Sequence, residues 1–231
     1  MTGFWISVLA SLLAGVLMVI VTASVSSRAR WVLTGILGRL LDVDIDAVFT
    51  DKRAAEADVR KELARAREIA IFTGRGNELQ RDTFDPIFLR RPAATALRVR
   101  VLLPRTDGSG EFDWTHQREV ELSEFDHAFA RQGLLKDQIE TTARFLEGYV
   151  NTANVELRRF NYPHIGRIIL TDRCAFFTPY RHDSHGRDCA VYKYRRGDLY
   201  ENFARLYEQL WMASESMAPI PATSGSNGQA G

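Results

Sequence analysis

The 231-residue chain has only two cysteines, too few for a disulfide framework and in keeping with a reducing compartment. It also lacks an excess of either charge: 30 Lys and Arg against 29 Asp and Glu leave a formal net charge of +1. That balance argues against a protein that grips nucleic acid by bulk charge, and the expectation is no duplex nucleic acid partner, with a local basic patch left open. No phosphate-binding GxxxxGK[ST] loop and no GxSxG nucleophile turn occurs. No internal repeat of about 20–50 residues is visible. What is present, 45% hydrophobic and 26% charged residues, is the composition of a globular chain and excludes wholesale disorder.

The mean hydropathy of −0.19 averages over two unlike parts. Residues 4–25 (FWISVLASLLAGVLMVIVTASV) are 22 residues without charge or proline. As a helix they extend about 33 Å, enough for a hydrocarbon core of about 30 Å. Arg28, Arg30 and Arg39 follow with no acidic residue between Ser26 and Leu41, which places the C-terminal side in the cytoplasm. Val21-Thr22-Ala23 resembles a signal-peptide cleavage site. No basic side chain precedes the run, and the run exceeds the usual 7–15 or so residues, so an uncleaved anchor is expected. Small residues at four-residue spacing, Ser7/Ser11 and Ala10/Ala14, suit close helix association and a homo-oligomer. The expected organisation is a short N-terminus (1–3), a transmembrane helix (4–25) and a basic interfacial segment (26–50), in the inner (cell) membrane.

Residues 51–68 open with DKRAAEADVRKELARAR, rich in helix formers, with a narrow apolar stripe of Ala55, Val59, Leu63 and Ala66. They read equally as a stalk that pairs with its copy or as the first helix of a domain. Beyond them, β-branched or alternating runs at 69–73, 98–103, 155–160, 167–171, 175–178 and 190–194 predict strands. Helical patterns at 83–89, 119–129, 133–150 and 199–212 lie among them. The alternation predicts one α/β domain over 69–217. The uncharged tail 218–231, rich in Gly, Ser, Ala and Pro, is expected to be disordered.

Glycines mark the turn after the first of these strands, Gly74-Arg75-Gly76-Asn77, whose backbone N–H groups suit an anion. His164, Arg167 and Arg181 are the other candidates to meet it at the carboxyl ends of the strands. Cys174, His182, His185 and Cys189 lack the tight CxxC knuckle of structural zinc sites, so neither a metal site nor a cofactor is expected.

The order of these elements, with PHIGRIILTD at 163–172 and a closing helix around NFARLYEQLW, resembles one half of the phospholipase D-like fold. The similarity covers residues 69–211. It implies an α/β sandwich, here joined to a transmembrane helix and a helical stalk. In the active family a His-x-Lys-x(4)-Asp motif supplies a nucleophilic His and a Lys that neutralises the phosphate. The Lys position here is Gly166; the nearest cation, Arg167, and Asp172 are each displaced by one residue. On a strand that displacement turns a side chain to the opposite face unless a bulge re-aims it. With a single motif copy as well, the resemblance implies a domain that has lost catalysis and kept a pocket.

The architecture, a membrane helix on a small ligand-sensing domain, also looks like the membrane effectors of antiphage defence systems. It implies a sensor-effector for a phosphate-bearing signal, a cyclic nucleotide or oligonucleotide. Two alternatives stay open. One is a dimeric phosphodiesterase or phospholipase using His164; the other is a ligand-free membrane assembly protein.

Overall fold

A computed structural model describes residues 2–26, 44–88, 97–108, 112–150, 155–163 and 165–216, together with single residues between 29 and 38. The chain starts with α1 (Thr2–Val25), uncharged along its whole length. Its backbone is described throughout, its side chains only at Trp5, 11–19 and 21–22. Among the described residues no helix is long and apolar enough to cross a membrane. The tail 218–231 lies outside the described residues.

The domain is built on one mixed sheet. Its strands are β1 (Ile45–Phe49), β2 (Glu68–Phe72), β3 (Arg98–Pro104), β4 (Val155–Phe160), β5 (Gly166–Thr171), β6 (Cys174–Pro179), β7 (Val191–Arg195) and the two-residue β8 (Glu215–Ser216). They lie in the order β1-β7-β6-β5-β2-β3-β4-β8. The parallel set β2-β3-β4 adjoins the antiparallel meander β5-β6-β7, joined where β2 pairs antiparallel with β5. Strands buried on both faces carry apolar side chains in both directions, which is why IAIF, VRVLL and RIILT read as nearly continuous apolar runs.

Alternate residues serve two cores. Ile69, Ile71, Val99, Val101, Leu103 and Ile169 face one layer of helices. That layer comprises α2 (Lys52–Arg65), the short α3 (Asp85–Phe88), α4 (Trp114–Ser123) and α5 (Leu134–Val150). Ala70, Phe72, Leu102, Ile168 and Leu170 face α6 (Asp198–Met212), which lays Tyr200, Tyr207 and Trp211 on the sheet. Tyr200 Oη donates to the Thr171 carbonyl at 2.7 Å and Tyr207 Oη to that of Arg100 at 2.9 Å, so the buried hydroxyls are satisfied.

Three sequence expectations change. The charged helix is no stalk: Asp51 caps it by accepting from Ala54 N at 2.9 Å, and Ala55, Val59 and Leu63 are buried in the first core. Its narrow apolar stripe is enough because the sheet supplies the partner surface. The interfacial segment assigned to 26–50 ends in a strand, β1, which adds antiparallel to β7. Its five residues IDAVF were too short to stand out. The helix expected at 119–129 runs instead from Trp114 to Ser123, started by Asp113 accepting from His116 N at 2.9 Å.

Candidate functional site

At the carboxyl end of β2 and the start of β5 the sheet opens onto a cavity of about 220 Å³ under the first helical layer. The chain leaves β2 through Thr73, Gly74 and Arg75, then turns at Gly76, whose φ of 72° is the left-handed region that glycine tolerates best. A 3₁₀ turn, Asn77–Gln80, follows and carries Glu78 inward. There Glu78 Oε1 accepts from Thr73 Oγ1 at 3.1 Å and from Arg167 Nη1 at 3.2 Å. Arg167 comes from the start of β5, pairs in register with Thr178 of β6, and donates Nη2 to Thr178 Oγ1 at 3.1 Å.

Charge in the cavity is strongly one-sided. Lys52, Arg75, Arg81, Arg118, Arg167 and Arg187 line it against two carboxylates, Glu78 and Asp126. Burial would raise the Glu78 carboxyl, but Arg167 and Lys52 beside it hold it down at about 2. Lys52 is pushed down to about 8, first by burial and then by repulsion from Arg167 and Arg81, with Glu78 opposing. Burial also raises the phenol of Tyr180 and lowers the Arg75 guanidinium. One buried polar atom remains without a partner among the described residues: Nε of Arg167, whose side chain is 6% exposed.

The lining also has an apolar and aromatic side. Leu122 from α4, Phe129 from the 3₁₀ turn His127–Ala130, and Leu134 and Leu135 from α5 face the same space. Arg75 lies over the Phe129 ring at 5.2 Å and donates Nη1 to Gln138 Oε1 at 2.9 Å. His185 Nε2 sits 3.0 Å from Asp126 Oδ2, and its ring meets Phe125 edge-on. Burial lowers the His185 imidazole, aided by Arg187 and Arg75, with Asp126 opposing.

Of the residues singled out in the sequence, Gly74, Arg75, Asn77 and Arg167 line this cavity, and Gly76 makes the turn beside it. Arg181 does not line it: the side chain is exposed and pairs with Asp183 at 2.6 Å, and only its carbonyl oxygen helps, by accepting from Arg118 Nη2 at 3.2 Å. His164 lies outside the described residues. Asp172 is at the far end of β5, where its Oδ1 accepts from Arg67 N at 3.0 Å. Sequence reading missed Lys52, Glu78, Arg118 and the Asp126–His185 pair. His185 was weighed in the sequence as a metal ligand, yet it walls the cavity together with Gly186 and Arg187. Among the described residues no group of three or more His, Cys, Asp or Glu converges on a metal position.

No family model matches this chain, and no curated protein does. Solved structures similar to it include TrmBL2, an archaeal chromatin protein with a novel mode of DNA binding. It is 12% identical with a TM-score of 0.47, over 93% of this chain and 67% of that one. NucT from Helicobacter pylori is 10% identical with a TM-score of 0.44, over 74% of this chain and 98% of that one. Nuc from Salmonella typhimurium, a phospholipase D family member, is 11% identical with a TM-score of 0.40, over 71% and 91%.

The expectation of no duplex nucleic acid partner is corrected by the first of these, since a protein similar to this chain binds DNA. The mixed α/β architecture expected from the resemblance is present, and the similar structures include proteins of the family that the sequence resembles.

Proposed function

We propose that the chain is a membrane-anchored sensor-effector whose α/β domain takes a phosphate-bearing ligand into the cavity at the ends of β2 and β5. The observation that carries this reading is Arg167: a guanidinium buried in a cation-rich cavity with its Nε unpartnered. Buried donors without acceptors cost free energy, about 1–3 kcal/mol and more when charged, and an anion oxygen would supply the missing acceptor. The excess of cations over carboxylates gives the same sign.

The anchor is supported by the uncharged 22-residue run and by the arginines that follow it. β1 is the first strand after α1 in the chain, and Lys52, three residues beyond β1, lines the cavity. A ligand that relieves the repulsion on Lys52 therefore acts next to the strand that leads to the anchor. Perturbation of the bilayer through α1 is the effector output we propose, on the likeness of architecture to antiphage membrane effectors.

The test is a thermal-shift titration of the full chain in detergent against inorganic phosphate and simple phosphate esters. A ligand at 100 times its Kd stabilises the fold by about 2.7 kcal/mol. At about 2–4 °C per kcal/mol for a chain of this size, that raises Tm by roughly 5–11 °C. A flat response to every phosphate probe sinks the reading. For the effector step, cells expressing the chain should lose membrane potential when the ligand is supplied; an unchanged potential removes that step alone.

A second reading, phosphodiester hydrolysis, is favoured by the imidazole of His185 held by Asp126 inside the same cavity. Release of nitrophenol from bis(p-nitrophenyl) phosphate, lost in His185→Asn with phosphate binding retained, would establish it.

A further inference from the structure

The cavity has two chemically different parts, and together they specify more than an anion. Arg167 and Arg81 both act electrostatically on Lys52, with Glu78 and Glu56 opposing them, and among the lining residues this part carries Lys52, Arg81 and Arg167 against Glu78. Lys52 releases its proton near 8, first because it is buried and then because Arg167 and Arg81 repel it, although Glu78 and Glu56 oppose the shift. A phosphomonoester, at about −1.5 to −2 near pH 7, matches that excess better than a phosphodiester with a single charge.

The other part is Phe129, Leu122 and Leu135 with Asp126 beside them. Arg75 is common to both: Glu78 acts on it electrostatically, and its Cζ lies over the Phe129 ring, 5.2 Å from the centroid. With Phe129 beside the guanidinium and both side chains lining the cavity, Arg75 offers a planar cation against which a ring can pack. Gln138 holds Arg75 in place through Oε1, and its side-chain amide N–H groups remain able to donate to a ring edge. The space, about 220 Å³, is smaller than the roughly 300–1,000 Å³ of sites for drug-sized ligands. It suits one phosphate and one ring system rather than a dinucleotide or oligonucleotide.

We infer that the ligand is a phosphomonoester bearing a single planar ring, of nucleoside-monophosphate type. Its phosphate lies at Lys52, Arg81 and Arg167, and its ring lies against Arg75 and Phe129. This rests on the proposed anion-binding reading of the cavity and narrows the signal from cyclic nucleotides and oligonucleotides to a mononucleotide.

The experiment is calorimetric titration of the full chain in detergent with inorganic phosphate, ribose 5-phosphate, adenosine 5′-monophosphate and adenosine 3′,5′-cyclic monophosphate. Stacking of one base predicts that adenosine 5′-monophosphate binds at least about tenfold tighter than ribose 5-phosphate. The cyclic ester, with the same ring and one charge fewer, should bind more weakly than the monoester. Phe129→Leu should narrow the ratio between the monophosphate and ribose 5-phosphate; the wild-type ratio decides the matter even if that variant does not fold. Equal affinity for ribose 5-phosphate and the nucleotide overturns the ring, and equal affinity for the cyclic ester overturns the monoester, both leaving the anion reading intact. No binding of any of the four overturns both readings.

Discussion

Arg167 Nη1 donates to Glu78 Oε1 at 3.2 Å, and this pair joins the start of β5 to the turn after β2, 89 residues apart in the chain. Both side chains are buried, at 6% and 9% exposure, so neither charge has water to fall back on. Removing one partner of such a pair leaves an uncompensated buried charge. Glu78→Gln is therefore expected to cost about 3–5 kcal/mol, read from urea unfolding of the full chain in detergent. A loss below about 1 kcal/mol would mean that the pair is solvated. Acid acts the same way: the Glu78 carboxyl titrates at about 2 when folded against an ordinary 4.5. Its contribution is complete above pH 4.5 and is lost as pH falls from there toward 2.

Lys52 gives a dependence of opposite origin. Folded, it releases its proton near 8; unfolded, it holds it to about 10.5. The unfolded state then binds more protons over that window, so stability rises as pH climbs from about 8 to 10.5. Lys52→Met should be more stable than wild type at pH 7 and should lose this rise. An anion in the cavity should restore the Lys52 proton, so phosphate binding at pH 8 is expected to take up protons. Titrations in buffers of differing ionisation enthalpy measure that uptake, and a proton release would contradict the placement of Lys52.

Two glycines should respond in opposite directions to alanine. At Gly76 the left-handed φ is strained for any other side chain, and a Cβ would lie 2.8 Å from both Leu103 Cδ2 and Thr142 Cγ2. Gly76→Ala should cost about 1–3 kcal/mol by thermal or urea unfolding and weaken phosphate binding with it. Gly148, inside α5, has nothing within 4 Å of the added Cβ. Gly148→Ala should stabilise by about 0.5–1 kcal/mol through helix propensity.

Asp44, just before β1, caps a helix from outside it: its Oδ2 accepts from Leu199 N at 3.0 Å in the first turn of α6. Only glycine fits opposite, because a Cβ at Gly197 would run into the Asp44 carboxylate. Asp44→Ala should cost about 0.5–2 kcal/mol. Gly197→Ala should cost a comparable amount alone and little more once Asp44→Ala is present. A double-mutant cycle measures that coupling, and strict additivity would contradict the contact.

Local pattern made much of the sheet legible, because a buried strand shows itself over five or six residues. IAIFT, RVRVLL, VELRRF and RIILT all became strands close to where the sequence placed them, and the glycine turn after β2 sits where its residues suggested. What was illegible depended on partners. Lys52 and Leu63 belong to a helix whose apolar stripe looks too thin until the sheet beneath it is known. β1 is a strand because β7 leaves an edge for it.

For the candidate site the division is similar. Pattern along the chain was enough for the uncharged N-terminal run, the alternation of strands and helices, and a glycine-marked turn at residues 74–77. Only the tertiary structure decided which cations meet. Arg167 faces the cavity because pairing of β5 with β2 and β6 sets which face each of its side chains takes, and a shift of one residue would have sent it toward α6. Arg181, one residue beyond Tyr180, points instead to solvent and Asp183. Lys52, Arg118 and His185, more than 60 residues from one another in sequence, share one cavity because the sheet register and the helical layer over it bring their chain segments to the same edge.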